Sequence, residues 1–339
     1  MRDWSRFARS ANPFLPIGKQ GTRMNPAYSV ILFTTASGAG YGLLVWLALG
    51  VAFAGIPPAG AVASVGLLLA LALVTTGLLS STLHLGRPER AWRAVTQWST
   101  SWLSREGVLA LATYVPAGLW LLVQWLAPGT WWTLPATLAL LSAAGALATV
   151  WATGMIYQSL PTIRAWSEPL VAPIYVLLAL ATGAVLMAFL EAANGAAGPM
   201  MAMVGGLLLL AGALAKWLYW RRIDAAPRTW TAGSATGLGS LGRVRPLDPP
   251  HTQANFVMRE MGYAVARKHA QSLRLMALGA GFVGPAALLI LASSLPTVPA
   301  TVAVAVAALG AAVGVLAERW LFFAEAQHVV TLYYGAERA

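Results

Sequence analysis

Ionisable and hydrogen-bonding residues gather at the ends of apolar segments in this sequence, and these are the positions where chemistry would be done. His84 closes the second apolar segment and leads into Leu85, Gly86, Arg87, Pro88, Glu89 and Arg90. Tyr157 and Gln158 close the fourth, and Glu318 and Arg319 fall in the last turns of the eighth, with Glu325 and His328 just beyond. Placing such groups beside lipid is costly, so they mark either function or a specific structural need. A quinone headgroup needs about this equipment: an apolar slot reached from lipid, hydrogen-bond partners for two carbonyls, and a protonatable group in contact with water. Histidine titrates near neutral pH and can exchange a proton with a ring oxygen, which makes His84 the first candidate. Arg87, about one turn further on, is placed to stabilise an anionic ring oxygen. Tyr157 and Glu318 are candidates for the second carbonyl and the proton path. Each has a plainer reading: His84 as an interfacial anchor, Tyr157 as part of an aromatic belt, and Glu318–Arg319 as a structural ion pair. Glu191, near the opposite end of the fifth segment, reads as structural.

Metal and nucleotide chemistry find less support. The chain has no cysteine, so iron–sulfur clusters, thiolate metal sites and disulfides on this subunit are excluded. Of its four histidines, His84 and His328 could meet at one face, but membrane cytochromes place haem ligands deeper in their spans. His251 and His269 lie in a connection, so the expectation is no haem and no metal site. The run Gly38-Ala-Gly-Tyr-Gly42 lies inside an apolar helix with no strand before it and fails as a dinucleotide fingerprint. With Thr34, Thr35 and Ser37 it allows close helix packing, the default reading, or an opening beside a ligand.

The elements that must position these residues are membrane helices. Of 339 residues, 58% are hydrophobic and 10% charged, with a mean hydropathy of +0.67; a soluble domain carries about 25% charged residues. Eight apolar segments cover 27–54, 60–83, 106–126, 132–156, 169–191, 199–220, 273–294 and 298–323, each near the ~20 residues needed to cross a bilayer. The expected fold is therefore all-α, an integral membrane protein with eight transmembrane helices. All 22 lysines and arginines fall on one side of such an arrangement. The positive-inside rule then puts both termini in the cytoplasm. The net charge of +11 reports this orientation, because no soluble basic domain exists to carry nucleic acid. Residues 1–26 form a polar tail with no expected cleavable signal, and 27–220 hold the first six spans. The connection 221–272 is loop-like at first, then amphipathic from Ala254 to Ser272, which predicts an interfacial helix before the seventh span. Residues 273–339 hold the last two spans and a tail. The sequence shows no internal repeat and few charges near the bilayer centre, which weakens the rival reading of a secondary transporter.

Beyond these properties, His84-Leu-Gly-Arg-Pro-Glu-Arg-Ala-Trp92 followed by Ser101-Trp-Leu-Ser-Arg-Glu-Gly107 resembles the signature of the DmsC family, the membrane anchors of dimethyl sulfoxide reductase and its relatives. Met155 to Trp166 and Glu318 to His328 resemble two further family segments. The resemblance implies an eight-span anchor without cofactors of its own. It would bind an iron–sulfur electron-transfer subunit and, through it, a molybdopterin catalytic subunit, and would exchange electrons with ubiquinone or menaquinone. It implies that His84 is the quinone-site histidine and Glu318 the final-span glutamate, although the basic residue beside Glu318 departs from the dimethyl sulfoxide reductase spacing. The inside placement of His84 and the large connections is similar to anchors of cytoplasmic sulfite dehydrogenases, which reduce quinone, rather than to a quinol-oxidising periplasmic complex. On this reading Arg90, Arg93, Arg164 and Arg245 belong to the partner-docking surface. A purely structural anchor, with quinone held by the partner, is the remaining alternative.

Overall fold

The computed structural model describes residues 28–83, 85, 87–126, 133–195, 199–226, 230–244 and 269–334. His84, Arg245 and most of the expected amphipathic helix (254–268) lie outside the described residues. Eight helices long and apolar enough to cross a membrane follow one another: α1 Tyr28–Phe53, α2 Ala61–Thr82, α3 Trp102–Leu126, α4 Thr133–Gln158, α5 Val171–Ala193, α6 Pro199–Ala225, α7 Ala270–Ala292 and α8 Thr297–Ala324. Successive helices run back and forth, so α1 begins and α8 ends at the same face of the bundle, called here the terminal face.

Two segment ends differ from the expectation by four residues or more, for local reasons. Helix α3 starts at Trp102, four residues before the apolar run, because Ser101 Oγ caps the amide of Ser104 (3.4 Å) and the Arg105 guanidinium folds back on the carbonyls of Trp98 and Ser99. Glu106 is thereby carried inside a helix rather than standing at its mouth. Helix α6 runs on to Ala225, where Arg222 pairs with Glu168 at 2.6 Å. By sequence, Lys216 and Arg319 count among the positive charges gathered at one end of the spans. They are instead fully buried inside α6 and α8, so the bundle holds more internal charge than its hydropathy suggests.

Helices α1 and α5 are the most buried of the eight and form the centre. Helix α1 packs on α2, α4, α5 and α8, and α5 packs on α1, α4, α6 and α8; α3 leans on α4, and α7 lies against α6 and α8. This adjacency nearly repeats itself, four helices at a time, although the sequence shows no repeat. The central crossing needs glycine. A Cβ on Gly42 would lie 1.8 Å from the Ala179 carbonyl oxygen, and one on Gly183 would lie 2.1 Å from the Gly42 backbone. Small residues let the backbones touch, the usual basis of helix association in lipid, and Trp46 Nε1 locks the crossing by donating to the Leu180 carbonyl (2.8 Å). The packing role of the α1 glycines is confirmed here.

Helix α7 contains a π-helical stretch, Ala277–Val283, where Gly281 meets Gly314 of α8 backbone to backbone. At the terminal face the α4–α5 connection is tied down from several sides. Trp166 Nε1 donates to the Phe322 carbonyl (3.0 Å), Tyr219 Oη donates to the Ala165 carbonyl (2.8 Å), and Ile163 pairs with His328 across an antiparallel bridge.

Candidate functional site

Between the two halves of the bundle, close to the terminal face, polar side chains converge on a small cavity. Its lining includes Thr34, Thr35 and Ser37 of α1, Thr153 of α4, Tyr175 of α5 and Arg319 of α8. At about 20 Å³ it has room for about one water molecule. The α1 hydroxyls donate to carbonyls one turn back, as Ser37 Oγ does to Phe33 (2.6 Å), which leaves their lone pairs facing the cavity. The Tyr175 hydroxyl is buried, with the Arg319 guanidinium against its ring.

Two ionic groups flank this cavity. On one side Thr153 Oγ1 donates to the buried Glu106 carboxylate, which α3 delivers from its second turn. On the other, Arg319 lies with its guanidinium 4.1 Å from the centre of the Tyr175 ring. Its Nε donates to Glu318 Oε2 at 2.5 Å, and the second carboxylate oxygen, Oε1, meets Lys216 Nζ of α6 at 2.6 Å. All three members are buried, and Lys216 is further held over the rings of Tyr219 (3.9 Å) and Trp220 (4.9 Å). Two cations share one carboxylate, so the triad carries one excess positive charge into a low-dielectric interior. Such a charge persists only where hydrogen bonds, rings or a ligand compensate it.

A larger, apolar cleft of about 210 Å³ adjoins the cavity. Thr35, Ala39, Thr182 and Val315 line both. The cleft is framed by Leu32 on α1, Leu73 on α2, Leu186 on α5, and Ala308, Ala312 and Leu316 on α8. Leu32 and Leu316 at its rim are about two-fifths exposed, on a surface that faces lipid in a membrane.

The nominated residues separate on this frame. Tyr157 and Glu318 come to the same region, but neither lines the cavity. Tyr157 sits in an aromatic cluster, with Trp166, Tyr175, Phe322 and Phe323 all within 5.7 Å centroid to centroid. That cluster fills the terminal end of the bundle below the site, so the ring works there as packing. Glu318 is occupied by two cations, in agreement with the ion-pair reading and with a larger partner set than expected. Arg87 does not join them: it is exposed and precedes a 3-10 helix, Pro88–Val95, that packs on α3. Arg90, Arg93 and Arg164 are exposed at the terminal face. The cavity itself lies between α1, α4, α5 and α8, because α1 and α5 fill the centre.

Sequence reasoning passes over Glu106 and Lys216. Each has a visible signal: a lone carboxylate at the head of an apolar segment and a lone ammonium near the end of another. His328, outside the spans, has its pKa held below the usual imidazole value by burial, and its Nδ1 accepts the Val330 amide at 3.0 Å.

A sequence model described as "DMSO reductase anchor subunit (DmsC)" matches residues 24–324. The chain belongs to that family. The match takes in all eight helices and every residue of the cavity. A similar protein is a sulfite dehydrogenase subunit of Allochromatium vinosum, 34% identical over 332 residues, which covers 92% of this chain and 99% of that protein. The chain is thus a multi-pass membrane anchor of an oxidoreductase, and the family fits catalytic cofactors carried on partner subunits.

Proposed function

We propose that this chain is the quinone-reactive anchor of a molybdopterin oxidoreductase complex, and that it passes electrons from an iron–sulfur partner to ubiquinone or menaquinone. One observation carries this reading: an apolar cleft with a half-exposed rim adjoins a cavity flanked by a cation, Arg319, and by a carboxylate held through a hydroxyl, Glu106–Thr153. Quinone reduction places negative charge on ring oxygens and then protons, and these two groups suit those two stages. The isoprenoid tail would lie along Leu32, Leu73 and Leu316. His84, two residues beyond the end of α2 in sequence, is retained as a proton-exchanging partner, and Arg87 as a cation three residues further on.

The charge distribution supports placing the terminal face, both termini and the 221–272 connection in the cytoplasm. The host membrane would then be the bacterial inner membrane. The iron–sulfur and molybdopterin subunits would dock on that side, through exposed Arg90, Arg93 and Arg164 and through Arg245 of the connection. The Allochromatium relative's name favours sulfite as the electron source, with quinone as acceptor. The family description favours the reverse flow, from quinol to a sulfoxide.

A tagged chain purified from its host in mild detergent tests both. Co-purifying large subunits with molybdenum and abundant iron, and sulfite-driven reduction of a short-chain quinone, are the expected results. A solitary, metal-free 35.6 kDa protein would overturn the anchor complex. Quinol-driven sulfoxide reduction without sulfite activity would reverse the direction.

A further inference from the structure

Charged side chains of alternating sign run from the terminal face to the cavity, and exposure falls along the way. Asp224, at the end of α6, is 58% exposed and receives Arg274 Nη1 at 2.6 Å. Arg274, 13% exposed, also holds Glu325 at 2.8 Å, and Glu325 is 9% exposed. Glu325 lies within electrostatic reach of Lys216. Lys216 and Glu318, at 1% and 0%, are in direct contact, and Glu318 faces Arg319 and the Tyr175 region beside the cavity. The groups that face Lys216 are Glu318, Arg319 and Glu325 from α8, with Tyr219 on its own helix and Arg274 of α7 over the neighbouring Trp220.

Only some members of this ladder can pass a proton. An arginine guanidinium does not release one in a protein, whereas an ammonium, a carboxylate and a phenol all can. Removing the arginines leaves an order of groups that can: Glu325 towards the terminal face, then Lys216 and Glu318 in contact at 2.6 Å, then the Tyr175 hydroxyl at the cavity wall. The arginines fix the carboxylates on either side of the lysine.

We propose that Lys216 is a proton-relay residue linking the aqueous terminal face to the cavity through Glu325, Glu318 and Tyr175. The inference rests on the quinone reading given above. Reduction takes up two electrons from the iron–sulfur partner and two protons, Q + 2e⁻ + 2H⁺ → QH2. One proton passes from the Tyr175 hydroxyl to the ring oxygen nearest Arg319, while the Lys216 ammonium gives a proton to the Glu318 carboxylate and Glu318 passes it on to the Tyr175 oxygen. Neutral Lys216 is then reprotonated from the terminal face by way of Glu325 and water. The second proton arrives from the Glu106–Thr153 side. Lys216 does not touch the quinone; it supplies the group that does.

Lys216→Arg separates this role from a structural one, because arginine keeps the charge and the ion pair but cannot relay. The test uses the assembled complex in vesicles, with quinone reduction followed against pH in H₂O and D₂O, and with binding of a labelled quinone analogue measured in parallel. The expected result is at least a ten-fold fall in turnover for K216R, a larger solvent isotope effect, and unchanged analogue binding. Tyr175→Phe, which leaves the triad in place, gives a similar fall, and the double variant is no slower than either. A K216R complex with wild-type turnover at every pH overturns the relay and leaves the quinone site standing. A wild-type complex that neither binds the analogue nor reduces quinone overturns both.

Discussion

Replacing Glu318 by alanine tests the electrostatics of the buried triad. Lys216 and Arg319 each contact one oxygen of this carboxylate, at 2.6 and 2.5 Å. Two such contacts attract by roughly 4 kcal/mol each at an effective dielectric constant of about 20, and desolvation of the carboxylate takes back several kcal/mol, leaving about 3–5 kcal/mol. Glu318→Ala loses that amount and strands two cations next to each other. Lys216→Met is milder, because Glu318 stays paired with Arg319. The diagnostic feature is the sign of the coupling: adding K216M to E318A removes one stranded cation, so the double variant is more stable than E318A alone. The assay is the fraction of monodisperse protein left after graded heating in detergent, compared across the two single variants and the double. Additive losses would refute the view that the triad is held by charge rather than by packing.

Three further outcomes follow from other parts of the bundle. Gly183→Leu drives a side chain into the Gly42 backbone and should cost at least about 3 kcal/mol, read as loss of monodisperse protein on gel filtration, whereas Gly195→Asn at a turn with open space should be nearly silent. Arg274→Ala unpairs the buried Glu325 and should cost about 1–3 kcal/mol, seen as faster proteolysis in the 226–269 connection with the other loops unchanged. His328 binds its proton less readily folded than unfolded, so the unfolded state holds more protons between the lowered folded pKa and about 6.5. The stability of the C-terminal segment is therefore full above that window and declines as pH falls through it; the protection factor of the Val330 amide, taken relative to its intrinsic exchange rate at each pH, should fall on acidification, and His328→Phe should remove that pH dependence.

The eight helices are legible because a hydrocarbon slab demands long apolar runs, and the sequence has eight. The two helix ends that differ most are set by capping and by ion pairs, the Ser101 and Arg105 contacts and Arg222–Glu168, which hydropathy does not see. The site is half legible. Glu318 and Arg319 stand out by position, and the α1 segment with Thr34, Thr35 and Ser37 reads as packing with room for a ligand beside it; Gly40 and Gly42 pack, while Gly38 and the hydroxyls line the cavity. Lys216 is hidden because a lysine near a helix end normally reaches for water, and only its carboxylate partner on α8 turns it inward. The cleft cannot be read at all, since it depends on α1 and α5 being neighbours at the centre, a choice of packing that eight similar apolar helices leave open.

On the proposed quinone reading, the cleft's half-exposed rim at Leu32 and Leu316 decides how activity must be measured. A ligand that enters from the bilayer is present at the site according to its mole fraction among lipid and detergent molecules, not its amount per volume of buffer. Adding empty micelles or vesicles at constant total quinone should then slow the complex as a competitor would, although nothing binds in the quinone's place. An apparent affinity expressed per litre would change with each detergent concentration, while one expressed per amphiphile would stay fixed.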